Sequence, residues 1–376
     1  MKKYFIGLFS IAIMFFFLAA CQEKAEKSDS FYMYVASDNP EDAAIGIFEW
    51  NPKTAELKSV SVDSTLATSS YLAIDSTTSR LYSISQEVIS AYKIEPETGG
   101  LTLLNKIPIT GRGACYVSIS NDHKYLIVGY YSSGSLASYN LKEDGSIGSH
   151  VSGFEHRGTS INAERQERAH VHMVYPVPQS NLILVPDLGI DDVLVYALDD
   201  AGNLIPTDEE FIAKIRPGGG PRHLTIHPSN QFVYVLHELT GHVTGFNFDP
   251  AKGFRDTINT VSTLPEDFTE FNKSADIHMT PNGQYLYASN RGHNSLAIFK
   301  VNQTNGVLTR VGIKSCGGEW PRAFAIDPSG NFILVANKRS DQVSILKIDY
   351  TTGFFEKVGE VSTPKAPQGI RFFRKR

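Results

Sequence analysis

The sequence predicts an all-β fold, a seven-bladed β-propeller with four antiparallel strands per blade. Its ring is closed by N- and C-terminal strands that share one blade. Three observations carry this expectation. From residue 31 onward, short alternating apolar runs end in Gly, Asn, Asp or Pro, and no long stretch has helical periodicity. One hairpin-sized unit recurs along the chain. Two incomplete fragments, one at each end, supply what the other lacks.

Taken in order, residues 1–20 read as a lipoprotein signal peptide. Lys2-Lys3 is a charged leader, Tyr4 to Phe17 is almost wholly apolar, and Leu18-Ala19-Ala20-Cys21 places small residues before a cysteine. That ending resembles a bacterial lipobox, which implies cleavage before Cys21 and a lipid on its thiol. The alternative is an uncleaved membrane anchor, for which the apolar run is short. Residues 21–30 read as a disordered tether, and residues 31–376 as a single propeller domain. The expected location is outside the cytoplasm, lipid-anchored to a bacterial membrane on its periplasmic side or at the cell surface.

The best copy of the repeat runs from Pro221 to His237. Pro221 to Ile226 forms one strand, Pro228-Ser229-Asn230-Gln231 turns the chain, and Phe232 to Leu236 returns. Pro321 to Asn337 and Ala275 to Asn290 match it closely, while Tyr71 to Ser85, Cys115 to Tyr130 and Val171 to Asp187 match more weakly. The turn positions Ser76, Asn121, Pro178, Pro228, Pro281 and Pro328 are 45, 57, 50, 53 and 47 residues apart. A third strand, a turn containing glycine (Gly99, Gly145, Gly306, Gly353) and a fourth strand follow each unit. Four strands in such a span is the signature of a propeller blade. Residues 31–62 have later strands but no first one, and residues 367–373 are a first strand with nothing after it. Joined, they close the ring, whereas an open solenoid would leave exposed sheet edges.

A net charge of −5 and the lack of a basic stripe exclude a nucleic-acid footprint. The 41% hydrophobic composition suffices for a large core. With Cys21 lipidated, only Cys115 and Cys316 remain, so no disulfide framework is indicated.

Antiparallel pairing brings the start of each first strand and the end of each second strand to the same mouth of the channel. The first-strand position reads Ser70, Cys115, His172, Arg222, Ala275, Arg322 and Gln368 around the ring. The second reads Asp38, Gln86, Tyr131, Leu188, Glu238, Arg291 and Lys338, preceded in four blades by Asp187, His237, Asn290 and Asn337. Asp and Asn there read either as turn caps or as part of a site at the mouth. His172, Arg222, Glu238 and Arg291 instead break the repeat, and a capping role fits them less well. Residues Gly153 to Ala169 are an insertion, read either as a surface loop or as a lid bringing Arg165, Gln166 and Arg168 to the mouth. His170-Val171-His172 allows a metal pair, but no third ligand has a fixed spacing to it. No nucleophile elbow and no phosphate-cradling loop is present.

Arg165-Gln166 with His170-Val171-His172, Gly220-Pro221-Arg222-His223, Glu238, Asn290-Arg291-Gly292-His293, and Pro321-Arg322 with Val335-Ala336-Asn337 together resemble a known family. It is the bacterial lactonase family of seven-bladed propellers, typified by 6-phosphogluconolactonase, with the related fungal carboxy-cis,cis-muconate cyclase. The resemblance implies a metal-independent hydrolase of a sugar or acidic lactone, or a cycloisomerase that forms or opens one. It implies catalytic roles for His172, Arg222, Glu238 and Arg291. Substrate-binding roles are expected of Arg165, His170, Asp187, His223, His237, Asn290 and Arg322. No cofactor and no metal is expected. The expected partners are a small lactone or organic acid and the membrane through the lipid anchor, with the chain a monomer or weak oligomer. Ala169 stands where family members carry proline, and the lipobox points to a substrate other than a cytosolic metabolite. From a different class, a non-catalytic surface-binding propeller also fits these repeats.

Overall fold

The computed structural model describes residue 1 and residues 30–376, residue 43 excepted. The expected signal peptide, the Cys21 lipidation site and nearly all of the tether lie outside the described residues. Seven antiparallel sheets radiate from a channel, each with its first strand innermost. Six are sequential: residues 71–108, 114–155, 175–214, 221–262, 273–315 and 321–362, here blades 1 to 6. The seventh pairs Pro367–Arg374 with Phe31–Ser37, which leads outward to Ile45–Asn51 and Glu56–Asp63. Both chain ends thus close the ring as expected. The sole helical element among the described residues is a 3-10 turn, Glu209–Phe211.

Blade 3 departs from the repeat. Its inner strand pairs only at Tyr175–Pro176, with an isolated bridge from Val171 to Asp187. Its outer strand is split into Leu204–Pro206 and Ala213–Lys214 around the 3-10 turn. Pro176, Pro178 and Pro206 bring no N–H to a ladder, which accounts for the short pairings.

Neighbouring blades are joined by a repeated device. A second-strand tyrosine in one blade donates its hydroxyl to a glycine carbonyl in the outer turn of the next. Tyr34 reaches Gly99 at 2.8 Å, Tyr82 reaches Gly145 at 3.0 Å, Tyr234 reaches Gly306 at 2.9 Å and Tyr287 reaches Gly353 at 2.8 Å. Each of these tyrosines is buried, so its hydroxyl requires a partner. Gly306 has φ +70°, and a Cβ there would sit 2.6 Å from the Phe232 ring. The turn therefore needs glycine for its backbone conformation and for the close approach of the neighbouring blade.

Replacing Gly306 by alanine is expected to cost about 1–3 kcal/mol, combining left-handed strain with a forced shift of Phe232. Tyr234→Phe strands a carbonyl and is expected to cost about 1 kcal/mol. Urea melts of the two variants and the double variant test this joint. A double-variant loss well below the sum of the singles is expected, since both break the same contact.

Candidate active site

The channel mouth is built on a recurring bulge. In blade 4, Pro221 pairs with His237 and His223 with Leu236, which leaves Arg222 as an extra residue. The same slip leaves Cys115, Arg322 and Gln368 unpaired in blades 2, 6 and the closing blade. In blade 5 it leaves out Ala275 and Asp276. A bulge takes a residue off the ladder and re-aims its side chain. The side chains of Cys115, Arg322 and Gln368 thereby line a cavity of about 410 Å³, joined there by His172 from the inner segment of blade 3.

Glu238 is the hub of this mouth. The residue is 2% exposed, and its carboxylate accepts from three arginines: Arg165 Nη2 at 2.7 Å, Arg222 Nε at 2.9 Å and Arg291 Nη2 at 2.8 Å. His172 Nε2 stands 3.9 Å away. Burial opposes ionisation of Glu238, but the cations of Arg291, Arg222 and Arg165 hold it well below the ordinary carboxylate range. Burial and the Arg222 cation hold His172 well below 6.5, so its imidazole is neutral at neutral pH. Arg291 also stands over the Trp320 ring, 5.7 Å from its centroid.

Arg222, itself 2% exposed, lies under the cavity rather than on its wall. It is fixed from below. Its Nη1 bonds the Ala275 carbonyl and faces His223 Nε2 at 3.1 Å, while His223 Nδ1 meets Asp276 at 2.8 Å. Asp276 therefore sets the His223 tautomer: Nδ1–H donates to the carboxylate, which leaves Nε2 to accept from Arg222. Burial opposes ionisation of Asp276, yet His278 and the bond from His223 keep it well below its ordinary value.

The insertion is packed rather than loose. His156 bonds Asp187 at 2.7 Å and the Tyr196 hydroxyl at 2.9 Å, and Gln166 donates to the Leu188 carbonyl at 2.9 Å. That fixes the turn from which Arg165 reaches Glu238 and the Tyr131 hydroxyl, the latter at 3.1 Å. Arg168 pairs instead with Glu167 at 3.5 Å and does not reach the mouth.

The structure brings together His172, Arg165, Arg222, Glu238 and Arg291, with Arg322 lining the same cavity and bonded to Gln368 at 2.7 Å. Other expected site residues lie elsewhere. His170 is stacked on Tyr131, with its ring nitrogens at the Tyr131 carbonyl and Glu167, so it does not converge with His172 on a common point. Asp187 is fully buried and holds His156 and the main-chain nitrogens of His170 and Gly189. Asn290 is equally buried among Thr263, Ser274 and Ser295. His223 sits beneath Arg222, and His237 faces a different cavity. Sequence reasoning overlooked Lys273 on the cavity wall and Asp276 below it. Their signal was faint, since the small Ala275 filled the aligned position, with Lys273 two residues before it and Asp276 one after. Among the described residues no group of three or more His, Cys, Asp or Glu side chains is gathered as metal ligands would be. Burial pushes the Cys115 thiol up to about 12, so it is no thiolate at neutral pH.

A sequence model of the seven-bladed β-propeller lactonases matches residues 32–372. The chain belongs to this lactonase family. It is 36% identical over 284 residues to the 6-phosphogluconolactonase of Bacillus subtilis, covering 74% of this chain and 80% of that protein. With a 6-phosphogluconolactonase of Formosa agariphila it shares 31% over 307 residues, 78% and 86% of the two chains. Among solved structures, the periplasmic gluconolactonase of Pseudomonas aeruginosa superposes with a TM-score of 0.86 at 26% identity, over 92% of this chain and 100% of the other. A putative 6-phosphogluconolactonase of Bacteroides fragilis gives 0.84 at 29% identity, over 92% and 98%.

The buried histidines at and beside this lactonase-family mouth predict its acid response. Burial pushes His223 and His237 down to about 3, and His172 well below 6.5. Unfolded, all three titrate at their ordinary value, so the unfolded chain binds more protons below pH 6.5. Folding is therefore fully favoured above 6.5 and loses free energy as pH falls toward 3, by about 1.4 kcal/mol per pH unit per histidine. Glu238 and Asp276, both depressed, add their loss only below their ordinary carboxylate values. The urea midpoint should be flat from pH 8 to 7 and fall steadily from 6.5 to 4. A midpoint unchanged across pH 6.5–4 would contradict buried neutral histidines.

Proposed function

We propose that this protein hydrolyses a sugar or acidic lactone that carries an anionic group, within the cavity at the channel mouth and by side-chain chemistry alone. The observation that carries this reading is unused capacity around one carboxylate. Four cationic side chains line the cavity against two carboxylates, Glu238 and Asp38. Asp38 is already paired with Lys338 at 2.9 Å. Arg165 Nη1 and His172 Nδ1 are buried without a hydrogen-bond partner. An anionic substrate supplies an acceptor for the Arg165 N–H, a water supplies a proton for the free imidazole nitrogen, and arginines suit carboxylate or phosphate. The names of the relatives, a 6-phosphogluconolactonase and a gluconolactonase, support the same substrate class.

In this proposal Arg291, Arg322 and Lys273 hold the anionic group and meet the oxyanion that forms when water adds to the lactone carbonyl. His172, neutral and on the wall, takes the proton of the attacking water. It then returns that proton to the ring oxygen as the carbonyl carbon–oxygen bond breaks, which yields the open hydroxy acid. Glu238 is too firmly held by arginines to be the base. It keeps the cations in place and stabilises the transient imidazolium.

The export reading is part of the proposal. Lys2-Lys3, the apolar run and Leu18-Ala19-Ala20-Cys21 support processing at Cys21, and one solved relative is named periplasmic. Cys21→Ser should abolish incorporation of a labelled fatty acid and release the protein from membranes.

A pH-stat assay over a panel of sugar lactones, with spontaneous hydrolysis subtracted, tests the activity. His172→Gln is expected to lower kcat by about 10²–10⁴-fold. Arg291→Ala should lower kcat/KM by about 10²–10³-fold, most for lactones bearing phosphate or carboxylate. A base must be unprotonated, and the His172 value is depressed. Activity should therefore persist below pH 6.5 and fail only at markedly acid pH. Unaccelerated hydrolysis of every lactone, with tight binding of an intact acid, would make the site a receptor instead.

A further inference from the structure

Behind Glu238, between blades 3 and 4, lies a second and larger cavity of about 1100 Å³. Its wall includes His237 and Leu239, the two chain neighbours of Glu238, and Ile161 and Asn162 from the insertion that carries Arg165. None of the acid–base chemistry above uses it.

The residue that draws attention to this cavity is His237. The equivalent position in three other blades holds Asp187, Asn290 and Asn337, each fully buried and hydrogen-bonded. Asp187 takes His156, Asn290 takes Thr263 and Ser274, and Asn337 takes Ser344 and Cys316. His237 is also buried, at 3% exposed, yet its Nε2 has no partner. A buried polar atom left unpaired in one copy of a repeat, where the other copies are satisfied, calls for a missing partner. His237 also pairs directly across the strands with His242. His242 Nδ1–H donates to the Thr240 carbonyl at 2.7 Å, which leaves its Nε2 as an acceptor.

The remaining wall defines the chemistry. Hydroxyls come from Thr240 and Thr257, an amide from Asn162, and cations from Arg216 and Lys214. Arg216 is exposed, and Lys214 bonds Asp192 at 3.2 Å. No Asp or Glu lines the cavity. Leu239, Ile215 and Ile161 provide apolar surface, Ile161 being 74% exposed. Imidazole acceptors, hydroxyls, a guanidinium and a small apolar face together suit a molecule with several hydroxyls and one negative charge.

We propose that this cavity is a second, non-catalytic binding site for a polyhydroxylated carboxylate. Opening a sugar lactone releases a compound of this class. The link to turnover rests on the proposed function; the binding site itself does not. Because His237 and Leu239 flank Glu238, and the Asn162 side chain accepts from the Arg165 main-chain nitrogen at 3.2 Å, the occupant touches the segments that hold the cationic mouth.

Sodium gluconate is the probe, titrated calorimetrically into the full chain. Two gluconates per chain are expected. Arg216→Ala and Thr257→Val should each weaken one of them at least about tenfold while initial rates of lactone hydrolysis stay at the wild-type value. Arg291→Ala should weaken only the other. Neutral glucose should bind the Arg216 site at least about tenfold more weakly than gluconate. No gluconate at all, or gluconate binding that is indifferent to both Arg216→Ala and Thr257→Val, would overturn the proposal; a single gluconate weakened by these two variants and not by Arg291→Ala keeps this site and counts against the mouth. Wild-type lactone hydrolysis is assayed separately. Two bound gluconates without turnover would thus reject the lactonase reading and keep this site.

Discussion

A single buried carboxylate holds the channel mouth of this propeller together. Glu238 collects Arg165 from the insertion, Arg222 from its own blade and Arg291 from the next, and His172 stands beside it. Three guanidinium groups in so little water would repel strongly without it, and the carboxylate would be costly to bury without them. Removing either side leaves uncompensated buried charge, typically a penalty of about 3–5 kcal/mol. The cluster therefore fixes its own geometry, and the insertion, the bulges and the Asp276–His223 support all serve to aim its members.

The scaffold around that cluster is nearly symmetric. Tyrosine hydroxyls locked onto glycine carbonyls join successive blades, and the shared closing blade removes the edges. Symmetry of this kind offers seven equivalent positions at one mouth. Chemistry arises where the positions differ, because a set of identical residues cannot supply a base, an oxyanion partner and a neutral wall at once. Blade 3 is the most irregular, and its shortened pairings leave room both for the insertion and for the cavity behind Glu238.

Much of this was legible in the chain itself. Period, turn residues and terminal fragments give the blade count and the closure, because each blade is a local unit whose pattern needs only nearest neighbours. The departures from the repeat at Arg222, Glu238, Arg291 and His172 are equally visible, since a repeat makes its exceptions conspicuous. His170, Asp187, Asn290 and His223 show the limit. Their positions in the repeat are the same kind as those of the mouth residues, yet they point at neighbouring backbone, at Tyr131 or below Arg222.

Residue types and spacing determined the blades, their order and which positions ring the mouth, because hydrogen-bonded strands have a fixed two-residue period. Only the tertiary structure decided which side chains meet. A one-residue bulge turns Arg222 beneath the cavity and Arg322 into it, and a packed insertion carries Arg165 across to Glu238 from 73 residues away. Those outcomes depend on contacts between blades, and such contacts leave no periodic trace in the sequence.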